Sequence, residues 1–219
     1  MTTSEPRPDP HTQVILDRYS DRVNIGIVHT PVDVLIAKYL SKVIQPEEFR
    51  DKTILEIGAG CSQYIPLFMQ YGCKRYYAND IIPERLQATR VDDPRYVELP
   101  GDFRSVEVPE KVDVVFASLT MMLLVPMFED FAKRIVDVLK PGGLFLSMDA
   151  NHLCPLSVYR VWNEKHANPV RLFRPQGYAS IFRKHGMVIE KLVPFTAPYP
   201  AVTGNWLLGT TFWMKARKV

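Results

Sequence analysis

One ten-residue stretch constrains this chain more than any other: Thr53-Ile-Leu-Glu-Ile-Gly-Ala-Gly-Cys-Ser62. A short apolar run, Thr53 to Ile57, stops at Gly58-Ala59-Gly60, and a segment able to be helical follows from Gln63. A strand, a tight glycine turn and a helix let backbone approach a nucleotide-like ligand closely and aim helix N–H groups at it. Short Gly-x-Gly turns occur in many loops, so this stretch acquires meaning from what surrounds it.

The surroundings alternate regularly. Residues 1–10 read as a polar, proline-rich tail, and Val14, Ile15, Leu16 and Tyr19 place a short helix over His11–Ser20. Pro31 fits the first turn of a helix capped by Thr30 and ending before Pro46. Strands are predicted at Thr53–Ile57, Arg75–Asn79, Tyr96–Leu99, Val112–Ala117 and Leu144–Met148, with helices at Tyr64–Gln70, Pro83–Thr89 and Phe128–Leu139 between them. Lys140-Pro-Gly-Gly143 reads as a helix stop. This alternation implies a parallel sheet with helices on both faces. Residues 151–174 lack a clean period and read as an insertion. A helix over Pro175–His185, a strand over Met187–Val193 stopped by Pro194, and a last strand from Trp206 to Ala216 close the chain. The last two strands lack a helix between them, so the final one is expected to be an antiparallel partner at the sheet edge.

Composition narrows the function. The 219 residues suit one α/β domain, and 47% hydrophobic with 23% charged content is that of an ordinary globular protein. A formal charge of +3, without a basic stripe, does not point to nucleic acid. Cys61, Cys73 and Cys154 make no CxxC pair and no metal-ligand set, so reduced thiols in a cytoplasmic protein and no bound metal are expected. No signal-peptide pattern opens the chain, and no run approaches the roughly 18 apolar residues of a membrane span.

Three features gather at carboxyl ends of the predicted parallel strands, where open α/β sheets bind ligands. Asp80 ends strand two, about 22 residues beyond Gly58 and near the roughly 20-residue interval at which an acidic residue meets a ribose. Its alternative is a turn or cap aspartate. Asp102, in Gly101-Asp102-Phe103, follows strand three; its carboxylate suits an exocyclic amine, and Phe103 suits a flat base. Its alternative is a turn beside a buried Phe. Ala117-Ser118-Leu119-Thr120 ends strand four.

Glu56-x-Gly58-x-Gly60-x-Ser62, Asp80, Gly101-Asp102, strand four and Leu139-Lys-Pro-Gly-Gly143 together resemble the class I S-adenosylmethionine-dependent methyltransferases, over roughly Lys52 to Met148. The resemblance implies a Rossmann-like α/β fold: a seven-stranded, mostly parallel sheet with an antiparallel edge strand and helices on both faces. It implies one domain over 31–219, a tail and lid segment over 1–30, and a substrate-side insertion at about 151–174. S-adenosylmethionine is the implied cofactor and S-adenosylhomocysteine the product. Glu56, Gly58, Ala59, Gly60, Asp80, Ile81, Asp102, Phe103, Ser118 and Leu119 form the implied cofactor set. Gly58 to Gly60 approach the methionine end, Asp80 the ribose and Asp102 the adenine amine. Ser62 stands where the family pattern often has a third glycine. The nicotinamide fingerprint G-x-G-x-x-G/A is not completed, since Gln63 occupies its third position.

Methyl transfer needs alignment and desolvation more than catalytic side chains. A base is required only where the acceptor loses a proton. His152, beyond strand five, is the candidate base; its alternative is a loop histidine bonded to backbone. Tyr19, His29 and His166 are lesser candidate bases. Tyr19, His29, Met122, Trp162 and Tyr199 are candidate acceptor-site residues, with Met121 beside them; for Met121, Met122, Trp162 and Tyr199 the alternative is ordinary core packing. No Asn-Pro-Pro-Tyr-like motif follows strand four, and Ala117-Ser118 offers no metal ligand. A small-molecule acceptor methylated at oxygen or nitrogen is therefore expected, with no nucleic-acid or membrane partner. A loose likeness of residues 166–213 to methyltransferases of bacterial natural-product and surface-glycan pathways fits that expectation. A non-catalytic binding or partner subunit of the same fold, or that fold used for a reaction such as cyclisation, is the alternative.

Overall fold

The computed structural model describes residues 8–19, 41, 43, 45–60, 62, 64–163, 173–196, 201–202 and 204–219. Among the described residues eight strands form one sheet: β1 (Thr53–Ile57), β2 (Arg75–Asp80), β3 (Tyr96–Pro100), β4 (Val112–Ser118), β5 (Leu139–Ala150), β6 (Met187–Thr196), β7 (Ala201–Val202) and β8 (Thr211–Lys218). Their order is β3-β2-β1-β4-β5-β8-β6-β7. The helices are α1 (Pro10–Tyr19), α2 (Ile65–Gln70), α3 (Pro83–Ala88), α4 (Phe128–Val138), α5 (Pro155–Asn163) and α6 (Pro175–Lys184), with short 3-10 turns at Pro46–Glu48, Met121–Leu123 and Val125–Met127.

β1 is central, pairing in parallel with β2 on one side and β4 on the other. All five of its residues are buried, as an inner strand covered on both faces requires. Alternation then splits its side chains between two layers. Leu55 and Ile57 pack with Phe131 and Ile135 of α4, Phe182 of α6 and Ile15 of α1. Ile54 packs on the other face with Ile65 and Phe68 of α2 and Leu86 of α3. The expected mostly parallel sheet with helices on both faces is what forms. Its long antiparallel strand, β8, is inserted between β5 and β6, so β6 runs parallel to β5 again and only two-residue β7 lies outside it.

Three boundaries differ from the expected ones. β5 begins at Leu139, which pairs with Val112 before the ladder skips the 140–143 stretch and resumes at Val114↔Leu144. The turn-forming Lys-Pro-Gly-Gly is thus a bulge inside the strand rather than a gap before it. β6 continues through Pro194, which lies opposite Phe212 of β8. The neighbouring short strand pairs only with Phe195 and Thr196, so the N–H that proline lacks is not required on that side. β8 starts at Thr211, not Trp206. Asn205 accepts the Leu207 N–H through its side chain at 2.9 Å, and this turn holds residues 206–208 out of the ladder.

α1 is better defined than the sequence pattern implied. Oδ1 of Asp9 accepts the N–H groups of His11 and Thr12, each at 3.1 Å, with Pro10 at the first helical position.

Candidate cofactor site

A cavity of about 380 Å³ opens at the carboxyl ends of β1, β2 and β4, with Thr12, Ile15 and Tyr19 of α1 along one side. That volume lies within the roughly 300–1,000 Å³ of small-molecule pockets. The glycine turn forms one wall. Gly58 has φ +69°, and a β-carbon on it would sit 2.4 Å from Oγ1 of Thr120, so this position requires glycine twice over. Ala59 donates its N–H to the Asn79 carbonyl at 2.8 Å, and Gly60 donates its N–H to Oδ2 of Asp80 at 2.9 Å. The turn is therefore strapped to the end of β2.

Glu56 braces the turn from beneath. It is 2% exposed, and Ser62 Oγ donates to its Oε1 at 2.8 Å while the Tyr76 hydroxyl donates to Oε2. Burial pushes its pKa up to about 8, with the two hydroxyl bonds opposing that rise and the Asp80 charge adding to it. Ser62 Oγ also accepts the Tyr64 N–H at 3.1 Å. The residue that departs from the glycine pattern thus ties Glu56 to the entry of α2.

Asp80 is 5% exposed and accepts N–H bonds from Gly60 and Ile82, each at 2.9 Å. Burial raises its pKa; the backbone donors and the Arg85 charge act the other way. Asn79 donates to the carbonyls of Leu99 and Gly101 at 2.7 and 2.9 Å, which draws the β3 exit beside Asp80. Asp102 then faces the cavity with Phe103, whose ring lies 5.8 Å from that of Phe131. Leu119 is the strained member of the wall. Its φ of +54° is rare for a side chain branched beyond Cβ, and it is 40% exposed.

Of the sequence-predicted residues, Glu56, Gly58, Asp80, Ile81, Asp102, Phe103, Ser118, Leu119, Tyr19 and Met122 line this one cavity. Ala59 and Gly60 are buried in the turn that supports it. His152 is exposed in the turn after β5, where its N–H donates to the Phe173 carbonyl at 2.9 Å, and it does not line the cavity. Trp162, on α5, is 69% exposed and also lies outside the lining. Met121 is wholly buried in the core. His29, His166 and Tyr199 fall outside the described residues.

Sequence reasoning missed several residues. Arg85 lines the cavity, with its guanidinium 5.9 Å from the centroid of the Tyr19 ring. Its signal was a cation one turn into the helix that follows Asp80. Arg104 bonds Asp102 and reaches Thr12 of α1. Asp149 is wholly buried at the end of β5 and accepts the Met122 N–H at 3.1 Å. Burial pushes its pKa up to about 8. A carboxylate closing an apolar strand was the same signal that singled out Asp80. Among the described residues no group of three or more His, Cys, Asp or Glu is placed to hold a metal ion.

Residues 55–147 match the family model described as a methyltransferase domain. Malonyl-(acyl-carrier protein) O-methyltransferase of Chlorobium luteolum is 34% identical over 100 residues, 42% of this chain and 38% of that protein. A SAM-dependent methyltransferase from Aquifex aeolicus has a similar structure, with TM-score 0.65, 15% identity, and 91% of this chain and 98% of that one covered. So does the N-methyltransferase NodS of Bradyrhizobium japonicum, solved with S-adenosyl-L-homocysteine, with TM-score 0.57, 13% identity, and coverage of 95% and 85%. The chain spans under two fifths of the length of the first curated relatives it matches.

The fold is that of the class I methyltransferases. Residues 55–147 are similar to methyltransferase domains, and the similar NodS structure holds S-adenosyl-L-homocysteine, the product form of the donor S-adenosylmethionine. The residues present fit that donor. A β-carbon on Gly60 would meet Asp80 Oδ2 at 2.6 Å, so glycine leaves free the approach that a ligand on this carboxylate needs.

Proposed function

We propose that this chain transfers a methyl group from S-adenosylmethionine to an oxygen or nitrogen of a small-molecule acceptor, in bacterial natural-product or glycan biosynthesis in the cytoplasm. One observation carries the reading: Gly58, Asp80 and Asp102, far apart in sequence, meet on a single cavity between the strand ends and α1. The free, buried thiols of Cys73 and Cys154 accord with a reducing compartment.

In this reading the bound donor supplies a sulfonium methyl, already activated for transfer. The Gly58–Gly60 backbone receives the methionine end, with Glu56 fixing the turn from below. Asp80 accepts from the ribose hydroxyls, and Asp102 accepts from the adenine amine beside Ile81 and Phe103. Ser118 and Leu119 floor the site. Tyr19 and Met122, which both line the cavity, shape the acceptor's approach, and His29 and Tyr199 are proposed beside them. His152 lies outside the cavity, so it has no proton-accepting role in this reading.

Titration calorimetry with S-adenosylhomocysteine tests the cofactor half; binding at micromolar ligand is expected, and none at millimolar ligand would end the proposal. A labelled-methyl assay tests the acceptor half. Small hydroxy and amino compounds are expected to take up label, whereas label taken up only by proteins or acyl-carrier conjugates would overturn the small-molecule reading.

A further inference from the structure

Arg104 has every nitrogen of its guanidinium engaged. Nε donates to Oδ2 of Asp102 at 2.9 Å, and Nη2 donates to the same carboxylate. Nη2 also reaches Oδ2 of Asp9 at 2.6 Å and Oγ1 of Thr12 at 3.1 Å, while Nη1 contacts Sδ of Met127 at 2.6 Å. Asp9 caps α1 with its other oxygen. Burial alone would raise the Asp9 pKa, but bonds from Thr12 and Arg104 hold it well below the usual carboxylate range. Thr12 is 3% exposed and, like Ile15 and Tyr19, faces the cavity; Arg104 is not part of the lining.

One planar cation therefore joins the cap of the helix beside the cavity to the carboxylate that faces it from β3. An arginine fork serves two carboxylates at once in fixed geometry, which a lysine point charge does not. Other contacts among the described residues also join α1 to the domain. His11 Nε2 meets the Leu123 carbonyl at 2.5 Å, and Arg85 lies over the Tyr19 ring.

We propose that Arg104 is a positioning residue that couples docking of α1 to recognition of the cofactor's base, aligning Asp102 and anchoring Asp9 through the same guanidinium. The coupling rests on Asp102 meeting the base, as in the proposed function; the docking of α1 does not. Loosening Asp9 frees α1 without removing a group that touches the cofactor, and loosening Arg104 releases both ends together.

Asp9→Asn keeps a capping side chain but loses the charge, and Arg104→Gln breaks both bonds. In the full chain without ligand, each is expected to speed amide hydrogen exchange in α1. Each should also raise the S-adenosylhomocysteine dissociation rate about fivefold, the scale of a partly exposed ion pair. Asp9→Asn added to Arg104→Gln should change neither quantity further, and Arg104→Lys should recover only part of the loss. Unchanged α1 exchange in Asp9→Asn, or effects of the two substitutions that simply add, would overturn the proposal. Should Arg104→Gln fail to fold, the exchange and dissociation rates of Asp9→Asn and Arg104→Lys decide it. Wild-type protein that binds no S-adenosylhomocysteine would sink the cofactor reading and the coupling built on it, while α1 exchange would still decide the anchoring role by itself.

Discussion

The N–H of Gly60 donates to Oδ2 of Asp80 at 2.9 Å, and a methyl placed on the Gly60 α-carbon would lie 2.6 Å from that same oxygen. The turn after β1 and the carboxylate that ends β2 are thus one unit. The same added methyl would also meet Nε of Arg85 at 3.0 Å. Gly60→Ala is expected to displace the Asp80 carboxylate, and its cost should appear in ligand affinity more than in stability. S-adenosylhomocysteine affinity should fall at least about tenfold, roughly 1.4 kcal/mol, with a thermal midpoint within a few degrees of wild type. Calorimetry and thermal unfolding measured side by side separate the two; equal affinity would show that the site tolerates a side chain there.

Asp80→Ala removes an acceptor from two backbone N–H groups and, in the proposed function, from the ribose. The expected loss of S-adenosylhomocysteine affinity is about 1–3 kcal/mol, the range for hydrogen bonds to charged groups and for partners left unpaired. Asp80→Asn should lose less, because an amide oxygen still accepts one of the two N–H bonds. Unchanged affinity in both variants would remove Asp80 from the ribose site.

Asp149 gives the clearest pH dependence. Its folded pKa is raised to about 8 from 3.8, chiefly by burial. The folded chain therefore holds a proton between those values that the unfolded chain has released. The stability this represents is full below about pH 4 and is lost as pH rises through about 8. Glu56, raised to about 8 from 4.5, contributes in the same direction. Carboxyls held low, such as Asp9 and Asp113, act oppositely at acid pH. The comparison of wild type with Asp149→Asn isolates the first group. Urea unfolding at pH 5 and pH 9 should show the advantage of wild type shrinking by more than about 1 kcal/mol. A difference that does not vary with pH would contradict a buried, proton-bearing Asp149.

Ser62→Ala deletes the donor to Oε1 of Glu56 and the acceptor of the Tyr64 N–H. A stability loss of about 1–2 kcal/mol is expected. The loss should be larger at pH 9 than at pH 6, because the hydroxyl favours the ionised carboxylate. Denaturant midpoints at the two pH values check this, and an equal loss at both would mean that Glu56 does not ionise across that range.

His152 is exposed and outside the cavity, so His152→Ala is expected to leave kcat within about threefold of wild type and S-adenosylhomocysteine affinity unchanged. Steady-state assays across pH with an identified acceptor measure it; a drop of about 10²-fold or more would make His152 a general base after all.

The local elements were legible in the sequence because each is specified by neighbours in the chain. Thr53–Ile57 is apolar throughout and so reads as a strand buried on both faces, and Gly58 reads as a turn because little else adopts φ +69°. The spacing from Gly58 to Asp80 is the length of one β-α-β unit, so their meeting was implied by topology. Where the chain departs from its own local signals, long-range pairing is the cause. Pro194 continues β6 because Phe212 of β8 lies opposite it, and Lys140–Gly143 becomes a bulge because Val112 and Val114 both pair with β5.

The sequence by itself determined the alternating α/β order, the glycine turn and the two carboxylates at strand ends. Only the tertiary structure decided what those carboxylates touch. Asp9 and Arg104 lie far apart along the chain, and nothing periodic links them; their ion pair exists because α1 packs across the sheet end. Ser62 looked like the irregular residue of the turn, and folding made it the donor to Glu56. His152 sat where strand ends face substrate, yet its turn points along the surface toward Phe173. Strand and turn propensities act within a few residues, whereas burial, charge pairing and access to the cavity are properties of distant segments brought together.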